Sequence, residues 1–73
     1  MKNIKLIRVI KDYTQTKIQM DTAISQSDIS KYENYETYPT AHNLIILAKY
    51  YNVSTDFLLD LTDEQEPYPP GKN

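Results

Sequence analysis

The chain has 73 residues, one glycine, no cysteine and a single histidine, His42. That length allows one domain at most, near the lower limit for a self-sufficient core, and the missing cysteines exclude a disulfide framework, a thiolate metal site and a thiol nucleophile. The formal net charge is −2, but residues 1–31 sum to +3 and residues 32–73 to −5, so a basic end can face phosphates while an acidic end faces away.

The spacing predicts a first helix from about Asn3 to Asp12, with Ile4, Ile7 and Ile10 toward the core and Arg8 and Lys11 at its border. Leu6 and Val9 fall outside that stripe. The expectation is a wide core in which the last helix or the tail covers them; the alternative is an oligomer surface. Thr14 offers an N-cap hydroxyl to a second helix, Gln15 to Thr22, which turns Ile18 and Thr22 inward and is too poor in apolar residues to stand alone. Gln15 lies in the first turn, where free N–H groups and the helix dipole attract anions. A phosphate fits there, and so does an ordinary solvated side chain.

Ile24 plugs the following turn, and Ser25 with Asp28 three residues on forms an acidic capping box, which makes Asp28 a cap rather than a site residue. In the third helix, Ile29, Tyr32 and Glu33 share one face. Gln26, Ser27, Ser30 and Lys31 occupy the other, all short or flexible hydrogen-bonding groups with one cation, a set suited to reading base edges in a groove.

Asn34 to Pro39 reads as a loop, with Asn34 in the left-handed conformation that ends a helix and Pro39 disfavouring helix at Tyr38. Tyr35 and Tyr38 are expected to pack locally, the alternative being hydroxyl contacts to a nucleic acid backbone. A fourth helix spans Thr40 to Tyr51, with Thr40 the cap, Leu44, Leu47, Ala48 and Tyr51 on one face, Ile45 extending it, and Ile46 with Tyr50 on another. His42 is an exposed polar residue near its start. Val53 plugs the next turn, Ser54 caps a fifth helix, and Phe57, Leu58 and Leu61 are its buried candidates. From Thr62 the chain is acidic and Pro-rich and reads as an extended tail, unless Tyr68 and its prolines pack back.

No segment carries a strand period and none repeats, so the expected class is all-α, with a domain over residues 1–62 and a tail over 63–73. The longest apolar run, Leu44 to Ala48, cannot cross a bilayer, and the N-terminal charges are spread through the hydrophobic stretch rather than ahead of it. A soluble, cytoplasmic protein without membrane partners is expected. No acid–base pair, nucleophile motif or metal cluster stands out, so we expect neither an enzyme nor a cofactor, and no small-molecule ligand is evident.

At Thr14-Gln15 through Ser30-Lys31-Tyr32-Glu33-Asn34, and again at Asn52-Val53-Ser54 with Leu58-Leu59, the chain resembles the Cro/XRE family of helix-turn-helix DNA-binding domains, small bacterial or phage regulators. The resemblance runs ungapped from about Ile4 to Asp63 and extends to the Pro67-Tyr68-Pro69 tail. It implies a compact five-helix, lambda-repressor-like fold whose helices 2 and 3 form the motif, with helix 3 lying in the major groove. It also implies that Gln15 binds a backbone phosphate and braces the start of the recognition helix. Lys17 and Ser25 flank the groove, Gln26, Ser27, Ser30 and Lys31 face bases or nearby phosphates, and Asn34 closes the set. Arg8 and Glu33 match a charged pair that ties helix 1 to the recognition helix.

The departures from the family pattern are specific. Ala23 stands where the turn usually has glycine, which costs about 1 kcal/mol if the backbone there is left-handed. Gln19 replaces the small residue at the close approach of the motif helices, and Tyr35 replaces a glycine. Glu36 and Thr37 stand where basic residues often meet phosphates, shifting the electrostatic load to Lys5, Lys11, Lys17 and Lys31. Ile46 replaces a usually polar position and points to an apolar partner surface.

The leading expectation is a repressor-like, sequence-specific transcriptional regulator, a homodimer whose recognition helices sit about 34 Å apart on a near-palindromic double-stranded DNA operator. A protein-interaction module that kept the fold without DNA affinity, such as an antitoxin-like partner, is the alternative that the acidic charge and Glu36 favour.

Overall fold

A computed structural model describes residues 1–67; Tyr68 and the prolines after it, with the tail packing considered for them, lie outside the described residues. Five helices follow in order: α1 (Lys2–Ile10), α2 (Gln15–Thr22), α3 (Gln26–Glu33), α4 (Ala41–Tyr51) and α5 (Thr55–Leu58). Among the described residues there is no strand, and the all-α expectation holds. α3 packs against α2 and α1, while α5 packs against α4 and α1.

The helix starts follow from hydroxyl caps. Thr14, Ser25, Thr40 and Ser54 accept the N–H of Lys17, Asp28, Asn43 and Phe57, each at 3.0 or 3.1 Å. α1 has no such residue before it. Its first N–H groups are capped from the far end of the chain, where the Asp60 carboxylate accepts from Lys2 (3.0 Å) and Asn3 (2.8 Å). The N-terminal ammonium donates in turn to the carbonyls of Tyr32 (2.6 Å) and Glu33 (3.1 Å), joining the chain's start to the end of α3.

The helix ends share one device. Asp12, Ala23, Tyr35, Asn52 and Asp60 all have left-handed backbones, with φ of 60°, 64°, 62°, 56° and 63°. Each follows one of the five helices and turns the chain so that orphaned carbonyls find donors. Tyr13 N–H bonds Arg8, Glu36 bonds Lys31, Val53 bonds Ala48 and Leu61 bonds Asp56, at 2.9 to 3.0 Å. The left-handed residue after α3 is therefore Tyr35, not Asn34, whose φ is −97°. The Tyr35 hydroxyl accepts from Lys2 N–H and donates to Asp60, both at 2.9 Å, so it is engaged within the chain but by residues distant in sequence; its ring and Tyr38 are exposed.

Met1, Ile4, Ile7, Ile18, Ile24, Ile29, Tyr32, Leu47, Tyr51, Val53, Phe57 and Leu58 form the core. Leu44 and Ala48 pack partly buried against it, and three further expected members are exposed. Ile10 is 57% exposed because a spacing of three drifts about 60° per step, and two steps from Ile4 carry it about 120° round the helix. Leu61 is 71% exposed because α5 ends at Leu58 and Asp60 turns the chain before helical spacing reaches it. Ile45, one residue beyond Leu44, points outward, whereas Ile46 and Tyr50 pack partly against the core. Ile46, which stands at a usually polar family position and pointed to an apolar partner surface, is therefore partly used within the chain. Leu6 and Val9 stay exposed, at 42% and 56%. Beyond α5 there is no further helix up to Pro67, and the Gln65 carbonyl accepts Ser54 N–H at 3.0 Å.

Candidate nucleic-acid interface

α2 and α3 meet through Ile18, Ile24 and Ile29, all buried, so the polar side of α3 faces solvent. Gln26, Ser27 and Lys31 are exposed there and Ser30 is half-buried. Ser25 is spent on the cap of α3, and the Asn34 amide donates to Ser30 Oγ at 3.4 Å. Of the capping box, the hydroxyl half is formed.

The far end of α3 is held by charge. Arg8 Nε and Nη2 donate to the two Glu33 oxygens at 2.6 and 3.0 Å, a bidentate pair in which the Glu33 side chain is 2% exposed. Arg8 Nη1 also donates to the Tyr13 carbonyl at 2.9 Å. The Glu33 hydrogen bonds raise the Arg8 pKa against the opposing effect of burial, so the guanidinium stays charged at any ordinary pH. The pair implied by family likeness is formed.

Gln15 behaves differently from its implied role. Its amide nitrogen donates to Glu33 Oε1 at 3.2 Å, so it braces the end of α3 rather than the start. An amide nitrogen has two hydrogens, and one remains for an anion. The start of α3 is held instead by Gln19, whose side-chain oxygen accepts Gln26 N–H at 2.6 Å. Sequence reasoning saw Gln19 only as a misfit, although its place one turn after Gln15 put both on one face of α2. Arg8, Thr14, Gln15, Thr16 and Gln26 all line one open cleft of about 450 Å³.

Lys17 is not a free cation. Its ammonium lies 3.0 Å from Asp21 and 5.1 Å from the Tyr13 ring centre. Asp21 also accepts from the Tyr50 hydroxyl at 2.5 Å, which links α2 to α4. The Tyr50 hydroxyl and then the Lys17 ammonium hold the Asp21 carboxyl below its ordinary value, and Asp21 in turn raises Lys17. Burial, then Asp21, pushes the Tyr50 phenol up. Lys31 has no ion-pair partner among the described residues.

Among the described residues, no helix is long and apolar enough to cross a membrane. The helix-turn-helix domain family matches residues 1–64. The chain is 31% identical over 70 residues to YobD, an uncharacterized HTH-type transcriptional regulator of Bacillus subtilis (strain 168). That match covers 96% of this chain and 62% of the relative, so the chain spans under two-thirds of its length. No solved structure shows a significant match.

Proposed function

The chain belongs to the helix-turn-helix domain family, and from that premise we propose that it is a sequence-specific DNA-binding transcriptional regulator. The observation that carries this reading is the exposed polar side of α3, held rigidly by Ile29 below and by the Arg8–Glu33 pair at its end. In this reading α3 enters the major groove of a near-palindromic operator. Gln26 supplies an amide able to pair bidentately with adenine, Lys31 donates to guanine or a phosphate, and Ser27 and Ser30 accept or donate as the base requires. Ser25 and Asn34 mark the two ends of the contact, and Gln15 offers its second amide hydrogen to a phosphate. Lys17 reaches a phosphate only by leaving Asp21.

Two copies bind as a homodimer in the cytoplasm, and the exposed Leu6, Val9 and Ile10 on α1 support an apolar contact between them. Residues 1–62 form the DNA-binding unit and residues 63–73 the acidic tail. The test is selection of bound fragments from random DNA, followed by gel shifts. A recurring motif with two half-sites is expected, and Gln26→Ala should lose discrimination at one or two positions, worth about 1–3 kcal/mol. Binding of every fragment alike, or of none, would refute the reading and favour a protein-interaction module.

A further inference from the structure

Two departures from the family pattern converge on Gln19. Its main-chain carbonyl accepts the N–H of Ala23 at 2.9 Å, and its side-chain oxygen accepts the N–H of Gln26 at 2.6 Å. Both ends of the turn between α2 and α3 are thus fastened to one residue. The side chain is exposed, so it has left the helix–helix contact where a small residue was expected and passes over the start of α3 instead.

A carboxamide carries an acceptor oxygen on one side and two N–H donors on the other. With the Gln19 oxygen engaged by Gln26 N–H, its amide nitrogen keeps both of its hydrogens. That nitrogen has no acceptor among the described residues. Gln19 lies one helical turn along from Gln15 and is bonded to the main chain of Gln26, so its amide stands at the start of α3, where Gln26 begins the exposed side of that helix.

We propose that Gln19 is a further DNA-contacting residue, whose amide nitrogen donates to a backbone phosphate beside the base read by Gln26. This rests on the DNA-binding reading above. The ligand is a phosphodiester rather than a base for a chemical reason. Bidentate pairing with adenine needs a free oxygen and a free nitrogen on the same amide, which Gln26 retains and Gln19 does not. With its oxygen held on the backbone, the two N–H groups are what Gln19 presents, and they match phosphate oxygens, which only accept. Because the donor is neutral it displaces no counterion, so the contact adds affinity without adding to the salt dependence.

The test uses a duplex recovered by fragment selection, prepared with one phosphate at a time replaced by a neutral methylphosphonate. The parent protein should lose affinity, about tenfold for a single contact, at a position that Gln19→Ala no longer senses. Gln19→Ala should bind the unmodified duplex correspondingly more weakly, with an unchanged salt slope. Gln19→Glu keeps the oxygen on Gln26 N–H but faces the phosphate with a carboxylate. It should bind the duplex neutralised at that same position better than the natural one, a readout that survives if the alanine variant folds poorly. Sensitivity of Gln19→Ala at every position the parent senses would overturn the proposal while leaving DNA binding intact. Failure of the parent to bind any duplex would overturn the DNA-binding reading, and this one with it.

Discussion

Ala23 and Asp60 occupy the same backbone conformation and carry opposite consequences. An alanine at φ 64° has its Cβ close to the following carbonyl, a strain of about 1 kcal/mol that glycine does not have. Ala23→Gly should therefore raise the free energy of unfolding by about 0.5–1 kcal/mol, read from urea denaturation. An unchanged or lower value would show that Gln19 already relieves the turn. At Asp60 the left-handed backbone aims a carboxylate at the start of α1. Burial would raise that carboxyl, but the N–H donors of Asn3 and Lys2 and the Tyr35 hydroxyl outweigh it and hold it below the ordinary value. A carboxylate depressed in the folded state contributes stability above its unfolded pKa and loses it as pH falls through the folded one. Asp60→Asn should thus cost about 1–2 kcal/mol near neutral pH, in the range of a lost cap. Thermal melts of parent and variant should converge below about pH 4, and a constant gap down to pH 2 would contradict the assignment.

α3 is an element that its neighbours orient. Its eight residues bury only Ile29, Tyr32 and Glu33, too little to stand without α1 and α2. Arg8→Met alone leaves the Glu33 carboxylate buried without its guanidinium and should cost about 3 kcal/mol. Pairing it with Glu33→Leu removes the stranded charge and should return most of that stability, measured by denaturant titration. DNA affinity should stay low in the double variant, because two apolar side chains fix no angle as a bidentate pair does. Full recovery of binding would mean the pair stabilises without orienting. The motif itself was legible in the chain because its signals are local: Thr14 and Ser25 cap α2 and α3 at the expected residues, and Ile24 fills the turn between them. The missing parts are those that depend on distance or on drift. The cap of α1 comes from Asp60, 57 residues beyond Asn3, which no local pattern announces. Ile10 and Leu61 satisfied a spacing rule over one turn that the helix drift and the early end of α5 broke. Family likeness assigned the brace at the start of α3 to Gln15, whereas Gln19, read only as a departure from a small residue, supplies it and Gln15 reaches Glu33 at the other end.

At the scale of the whole molecule, the proposed DNA binding requires a chain of net charge −2 to hold a polyanion. Two of its basic groups, Arg8 and Lys17, are already matched by Glu33 and Asp21. Lys2, Lys5, Lys11, Lys31 and Lys49 carry no ion pair among the described residues, and of these Lys5, Lys11 and Lys31 are the three that the family likeness sets against phosphates. At about 0.9 per neutralised phosphate, three lysines give a log–log salt slope of about −3 for one copy and about −5 for two. The slope therefore measures both the electrostatic face and the number of copies on the operator. Lys31→Ala should shallow it by about 0.9 per bound copy, whereas Lys17→Ala should change it less, because Asp21 has already neutralised that ammonium. Gel shifts from about 50 to 200 mM salt are sufficient to separate these cases. A parent slope near zero would place the binding energy elsewhere than phosphates and return the acidic chain to a protein partner. Equal effects of the two substitutions would mean that Lys17 abandons Asp21 on the DNA, breaking the Asp21 link between α2 and α4 as it does so.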